Sequence, residues 1–333
     1  MVNIRIPVSV LNLVPIRQGQ NAKNAIDAMV DLAKATEKMG YVRYWIAEHH
    51  NMASLVSSAT SILIKHTLDN TEHIRVGSGG IMLPNHSPLV VAEQFGTMAT
   101  IYPKRLDLGL GRAPGTDMKT ATALRRSQHN SVYTFPEDVK SLLTYFGPKE
   151  SQGIVKAYPG VGTNIPIYIL GSSTESAYLA ARLGLPYAFA SHFAPTHMEE
   201  AISIYRNRFE PSEFLKAPYM MICLNVIAAD SDEEAQFLAT TMHQFGLNII
   251  RSTQMPLQPP VNNMDDLWSP LEKQIVTERS SISIIGGKDT VREKLTKFQE
   301  FYHIDELMAV SYIFDQNKQI RSYEILKEIV DGK

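Results

Sequence analysis

Apolar runs of strand length alternate with segments of helical period from one end of the chain to the other, the pattern of repeated strand–helix–strand units and a parallel sheet. Residues 4–13, 42–47, 74–79, 106–110, 165–170, 187–190, 219–227 and 306–314 read as strands. Between the first two, Ile26, Met29, Val30 and Ala33 recur at helical spacing, and Gly40 falls where a C-terminal glycine would close the helix. Further helices are predicted over 57–67, from Pro88 onward, over 121–127, 137–146 and 195–209, and from a cap at Ser231. Ser172-Ser173-Thr174-Glu175 has the spacing of a capping box, and Gly184 with Pro186 would end the helix it starts. Eight strands, each with a helical partner, favour a closed (β/α)8 TIM barrel over an open doubly wound sheet. The stretch of about 231–284 exceeds one strand–helix unit and contains a proline-rich segment. It is expected to be an insertion or lid near the C-terminal third of a single domain spanning 1–333, since it is too short for a good core of its own.

Composition narrows the function. With 44% hydrophobic and 20% charged residues, this is a folded globule rather than a disordered chain. The 32 basic and 34 acidic residues are spread throughout, so no electrostatic footprint points to nucleic acid or to an anionic membrane. No apolar run is long enough to span a bilayer. Pro7, Asn12 and Pro15 interrupt the apolar N-terminal stretch, which reads as a strand rather than a signal core, and a cytoplasmic location is expected. Cys223 is the single cysteine. It excludes an internal disulfide, and its apolar neighbours make it a buried strand residue rather than a nucleophile.

Polar clusters follow several strands, where parallel α/β folds assemble their sites. In Trp45-Ile46-Ala47-Glu48-His49-His50-Asn51, strand alternation sends His49 and His50 to opposite sides and puts Glu48 with His50. That opposes a metal site built on the two adjacent histidines, and no metal is expected. Gly79 and Gly80 end the third strand, where glycine permits a tight turn or close approach to a planar ligand. Gly109 and Gly111 do not make a dinucleotide fingerprint, because Pro114 occupies the third glycine position. Arg112 can instead pair with a phosphate or carboxylate. Gly171-Ser172-Ser173 at a helix start offers amide and hydroxyl donors to the same anion.

These segments, together with Ala92-Glu93-Gln94-Phe95 and Gly115-Thr116-Asp117, make the chain resemble the bacterial luciferase-like flavin-dependent monooxygenases of the single-chain subgroup. The likeness runs through nearly the whole chain, densest from Ser9 to Arg126. It implies a barrel that binds FMN, reduced by a separate reductase, and that uses oxygen on a small, largely apolar organic substrate. It further implies His49 as the acid/base group beside the flavin, Gly79-Gly80 as a non-proline cis peptide against the ring, and Arg112 with Ser172 and Ser173 as phosphate contacts. Homodimers are expected on the same ground. A deazaflavin-dependent oxidoreductase and a flavin-binding protein without turnover are the alternatives.

Overall fold

The computed structural model describes residues 5–113, 115–124 and 134–333. The first half runs β1 (Val8–Asn12), α1 (Ala22–Met39), β2 (Arg43–Ile46), α2 (Thr60–Asp69), β3 (Arg75–Met82), α3 (Pro88–Ile101), β4 (Leu106–Gly111), α4 (Met118–Leu124) and α5 (Phe135–Phe146). It continues with β5 (Ile167–Gly171), α6 (Thr174–Leu183), β6 (Tyr187–Phe189), α7 (Met198–Asn207), β7 (Met220–Ala229) and α8 (Asp232–Ile250). Last come α9 (Pro270–Arg279), β8 (Ile284–Gly287), α10 (Lys288–Tyr302), β9 (Glu306–Val310) and α11 (Gln316–Val330). Consecutive strands from β1 to β7 pair in parallel, β7 pairs with β9, and β9 returns to β1, so eight strands close the TIM barrel. Among the described residues no helix is long and apolar enough to cross a membrane.

Local signals set most element ends. Gly40 stops α1 in the left-handed conformation at φ 81°, Pro88 opens α3, and Ser231 accepts a hydrogen bond from the Glu234 amide to start α8. The expected capping box at Ser172 is not formed: Ser173 is the residue before α6, and no side chain caps that helix. The helix expected over 121–127 is described over Met118–Leu124, and residues 125–127 lie outside the described residues.

Strand alternation divides the apolar residues into two clusters. Val8, Val10, Tyr44 and Ile46 face the surrounding helices, whereas Leu11, Leu13, Trp45 and Ala47 face the barrel interior. The floor of that interior is ionic. Arg43 donates to Glu306 through Nε at 2.7 Å and to Asp107 and the Tyr168 hydroxyl through Nη1 at 2.8 Å. Asp107 also receives Arg75, and Glu306 receives the hydroxyls of Ser9 and Tyr219. Above this layer Trp45 packs edge-on to Tyr168 with ring centroids 4.9 Å apart.

The segment after β7 adds a strand that the sequence pattern did not disclose. The ten-residue β7 outlasts its neighbours, and its second half pairs with β8 outside the closed barrel, Val226 to Ile284 through Ala229 to Gly287. Ile227 and Ala229, on the interior side of β7, share a cluster with Ala235, Leu238 and Met242 of α8. Thus α8 lies on the mouth side of β7, and its Phe245 stacks on Tyr312, just past β9, at 4.7 Å.

Removing Arg43 leaves Glu306 with hydroxyl donors alone in a buried site. Arg43→Ala should therefore cost about 3–5 kcal/mol in urea unfolding. A loss within about 0.5 kcal/mol, ordinary for a surface change, would contradict this reading of the floor.

Candidate functional site

The end of β2 obeys the alternation expected of it. Glu48, on the outer side, is buried and accepts from His50 Nε2 at 2.9 Å and from His86 Nε2 at 2.8 Å, both on Oε1. His86 follows β3, so one carboxylate ties two loops at the barrel rim. The three groups bring potential ligand atoms within 4.8 Å of one another. His49 points the other way, toward the mouth, and its Nδ1 is sealed from solvent without a hydrogen-bond partner among the described residues.

The next three strands carry the remaining expected residues. The Gly79-Gly80 peptide is cis and coincides with a register shift between β3 and β4. A Cβ on Gly79 would lie 2.6 Å from Leu11 Cδ1, and one on Gly80 would lie 2.7 Å from the Gly109 carbonyl oxygen. Packing of the barrel wall therefore demands glycine at Gly80, where a side chain would meet backbone, whereas at Gly79 the nearest atom is the movable end of Leu11. Likewise, a Cβ on Gly171 would collide with Ser176, so this glycine lets α6 sit close to β5. Because Gly111 pairs with Leu170, Arg112 emerges beside Gly171-Ser172-Ser173. Arg112 is 40% exposed, and its Nη2 makes a long contact of 3.7 Å to Glu175. It opens into a groove of about 470 Å³ whose lining includes Phe135, Ser176, Arg182 and Arg208. No side chain caps α6, and the Glu175 carboxylate occupies the Ser173 hydroxyl and its own amide at this helix start, the place where an anion would sit.

Two polar residues of the mouth escaped sequence reasoning. His192, three residues past β6, has a sealed Nδ1 with no partner among the described residues. Asn225 of β7 donates from Nδ2 to the His192 carbonyl at 2.7 Å, while its Oδ1 is sealed and has no partner among the described residues. The available signal was a lone histidine just beyond a strand, and an asparagine within the apolar run of β7.

Residues 6–302 match the luciferase-like monooxygenase family. The chain belongs to that family. It is 47% identical to a luciferase-like monooxygenase of Escherichia coli (strain K12) over 99% of this chain and 98% of that protein. The crystal structure of apo-MsnO8 shares 32% identity, covers 98% of both chains and superposes with a TM-score of 0.87. More distant structures share the fold. The oxygenating constituent of 3,6-diketocamphane monooxygenase, in complex with FMN, has 17% identity, a TM-score of 0.72 and coverage of 99% of this chain and 98% of that one. An F420-dependent secondary alcohol dehydrogenase has 13% identity, a TM-score of 0.69 and coverage of 98% and 99%.

Electrostatics in this luciferase-like barrel separate the two sides of β2. Burial pushes the Glu48 carboxyl up, but the hydrogen bonds and charges of His50 and His86 prevail and bring it down to about 2. Burial lowers His49 to about 4 despite the opposing charge of Glu48, and lowers His192 to about 3, with the charge of His49 adding to the effect. His49 is therefore a neutral imidazole at pH 7, not the group titrating near neutrality that its residue type suggests, because the barrel mouth resists a charge there. The unfolded chain takes up protons near 6.5 that the folded mouth refuses. Both histidines thus contribute stability above about pH 6.5 that is lost as the pH falls toward 4. Unfolding free energies measured through this window should decline with acid, and His49→Gln should flatten the decline. An unchanged slope in the variant would show that His49 titrates normally.

Proposed function

We propose that this chain is an FMN-dependent monooxygenase acting on a small, largely apolar organic substrate. The observation that carries the reading is Arg112 beside the uncapped start of α6, a fitting cradle for a phosphate at the carboxyl end of the barrel. In the overall reaction one atom of O2 enters the substrate and the other leaves as water, with two electrons supplied by bound, reduced FMN. Arg112, Ser172, Ser173 and the first-turn amides of α6 would hold the phosphate. Glu175 would yield its long contact with Arg112 to that group. His49, neutral and with an Nδ1 unpartnered among the described residues, would take up or relay a proton during the reaction.

Exclusion of water falls to the segment of about 231–284. Its α8 packs on the mouth side of β7, and Gln254 bridges to the loop after His50 by donating to the Asn51 carbonyl at 2.9 Å and accepting from the Ala53 amide at 2.7 Å. Leu257 exchanges backbone hydrogen bonds with Ile16 and Gln18 beyond β1. These ties support a cover over the mouth. The reading also includes a separate reductase that supplies reduced FMN and a homodimer, both drawn from the family resemblance.

Two measurements test it. Arg112→Ala should weaken FMN binding by about ten- to a hundredfold while riboflavin, which lacks the phosphate, changes by under about threefold. Equal losses for both would remove the phosphate role. Turnover with reduced FMN under isotopically labelled O2 should give a product carrying one labelled oxygen atom. Unlabelled product together with tighter binding of a deazaflavin would instead favour the hydride-transfer alternative suggested by the F420-dependent fold relative.

A further inference from the structure

His192 and Asn225 form a unit that the proposed chemistry leaves unused. β2 and β6 stand four strands apart in a ring of eight, so His49 and His192 approach the mouth from opposite walls. Ala188 of β6 and Cys223 of β7 face the interior, and alternation within β7 carries that direction on to Asn225, whose Nδ2 holds the carbonyl of His192 in the turn after β6.

The pair is built rather than incidental. Asn225 Nδ2 is committed to the His192 carbonyl at 2.7 Å and lies 3.3 Å from Ser283 Oγ, which fixes the amide so that Oδ1 is the atom turned away. Ser191 Oγ donates to the Cys223 carbonyl at 2.6 Å, pinning the same loop to β7. On a wall that includes Cys223, Ile227, Val310 and Tyr312, two polar atoms, His192 Nδ1 and Asn225 Oδ1, are sealed from solvent and have no partner among the described residues. Buried polar groups without partners are rare because their desolvation is not repaid. A ligand that reaches them would repay it.

We infer that His192 and Asn225 constitute a hydrogen-bonding subsite for the organic substrate, taking a neutral group that donates at least one hydrogen bond, an amide N–H or a hydroxyl. Asn225 Oδ1 can only accept, which requires the donor. Among the described residues named on this wall there is no carboxylate to balance a cation, Glu48 being held by His50 and His86, and no cation to hold an anion. This inference rests on the reading of the mouth as the substrate site and adds a polar handle to an otherwise apolar substrate.

The test uses the FMN-loaded chain and two probes that share an oxidisable thioether and differ in the amide, S-methyl-N-acetylcysteamine and methyl butyl sulfide. Dissociation constants come from ligand-observed NMR, and product from mass spectrometry. The amide probe should bind about tenfold tighter than the sulfide, the worth of one well-placed hydrogen bond. Asn225→Leu and His192→Phe should abolish that preference by weakening the amide probe alone. His192→Asn, which restores a polar atom near the Nδ1 position, should recover part of it and guards against a general packing defect. Equal binding of the two probes to the wild type, or equal losses for both in the variants, would overturn the subsite. An amide preference without any sulfoxide would keep the subsite and refute oxygenation. Sulfoxide from both probes without preference would do the reverse.

Discussion

A single guanidinium at the floor of the barrel governs how the two ends of this fold are used. Arg43 joins β2 to β4, β5 and β9 through Asp107, Tyr168 and Glu306, so strands far apart in the chain are held at one level. Charges taken out of water need close to full pairing, and the ring supplies it with Arg75, Ser9 and Tyr219. Trp45 and the glycines of β3 and β4 then fill the space above. With that end closed by charge and packing, the carboxyl ends of the strands are left to carry unsatisfied groups.

The mouth inverts the logic of the floor. Around it stand His49, Arg112, the start of α6, His192 and Asn225, contributed by β2 and by β4 through β7 or the loops directly after them. Several of these groups lack the partners that the floor residues possess. His49 and His192 are kept neutral by burial, and α6 begins without a side-chain cap. Such deficits cost stability and are tolerated where a ligand offsets them. Glu48 serves the opposite purpose on the outer side of β2, where it accepts hydrogen bonds from two imidazoles and ties the loops that bear His49 and His86.

Much of the architecture was legible because its causes are local. Gly40, Pro88 and Ser231 mark helix ends through backbone conformation and capping, which depend on a few adjacent residues. The separation of His49 from Glu48 and His50 followed from strand alternation alone. β8 was hidden because four residues ending in Gly286 and Gly287 carry little strand signal, and only the overhang of β7 gives them a partner. The capping box at Ser172 illustrates the converse: its spacing was right, but the turn placed Ser173 ahead of the helix, with Gly171 pressed against Ser176.

By itself the sequence determined the repeating strand–helix order, the closed barrel, the direction of His49 and the kinship with luciferase-like monooxygenases. Each depends on periodicity or on contiguous segments, which survive in one dimension. Only the tertiary structure decided that Arg43 meets carboxylates 64 and 263 residues away, that His86 reaches Glu48, and that His192 and Asn225 share a wall facing His49. It also decided that burial makes His49 a neutral imidazole. Those outcomes follow from barrel closure, which brings distant strands to the same level and removes the water that sets a side chain's ordinary charge.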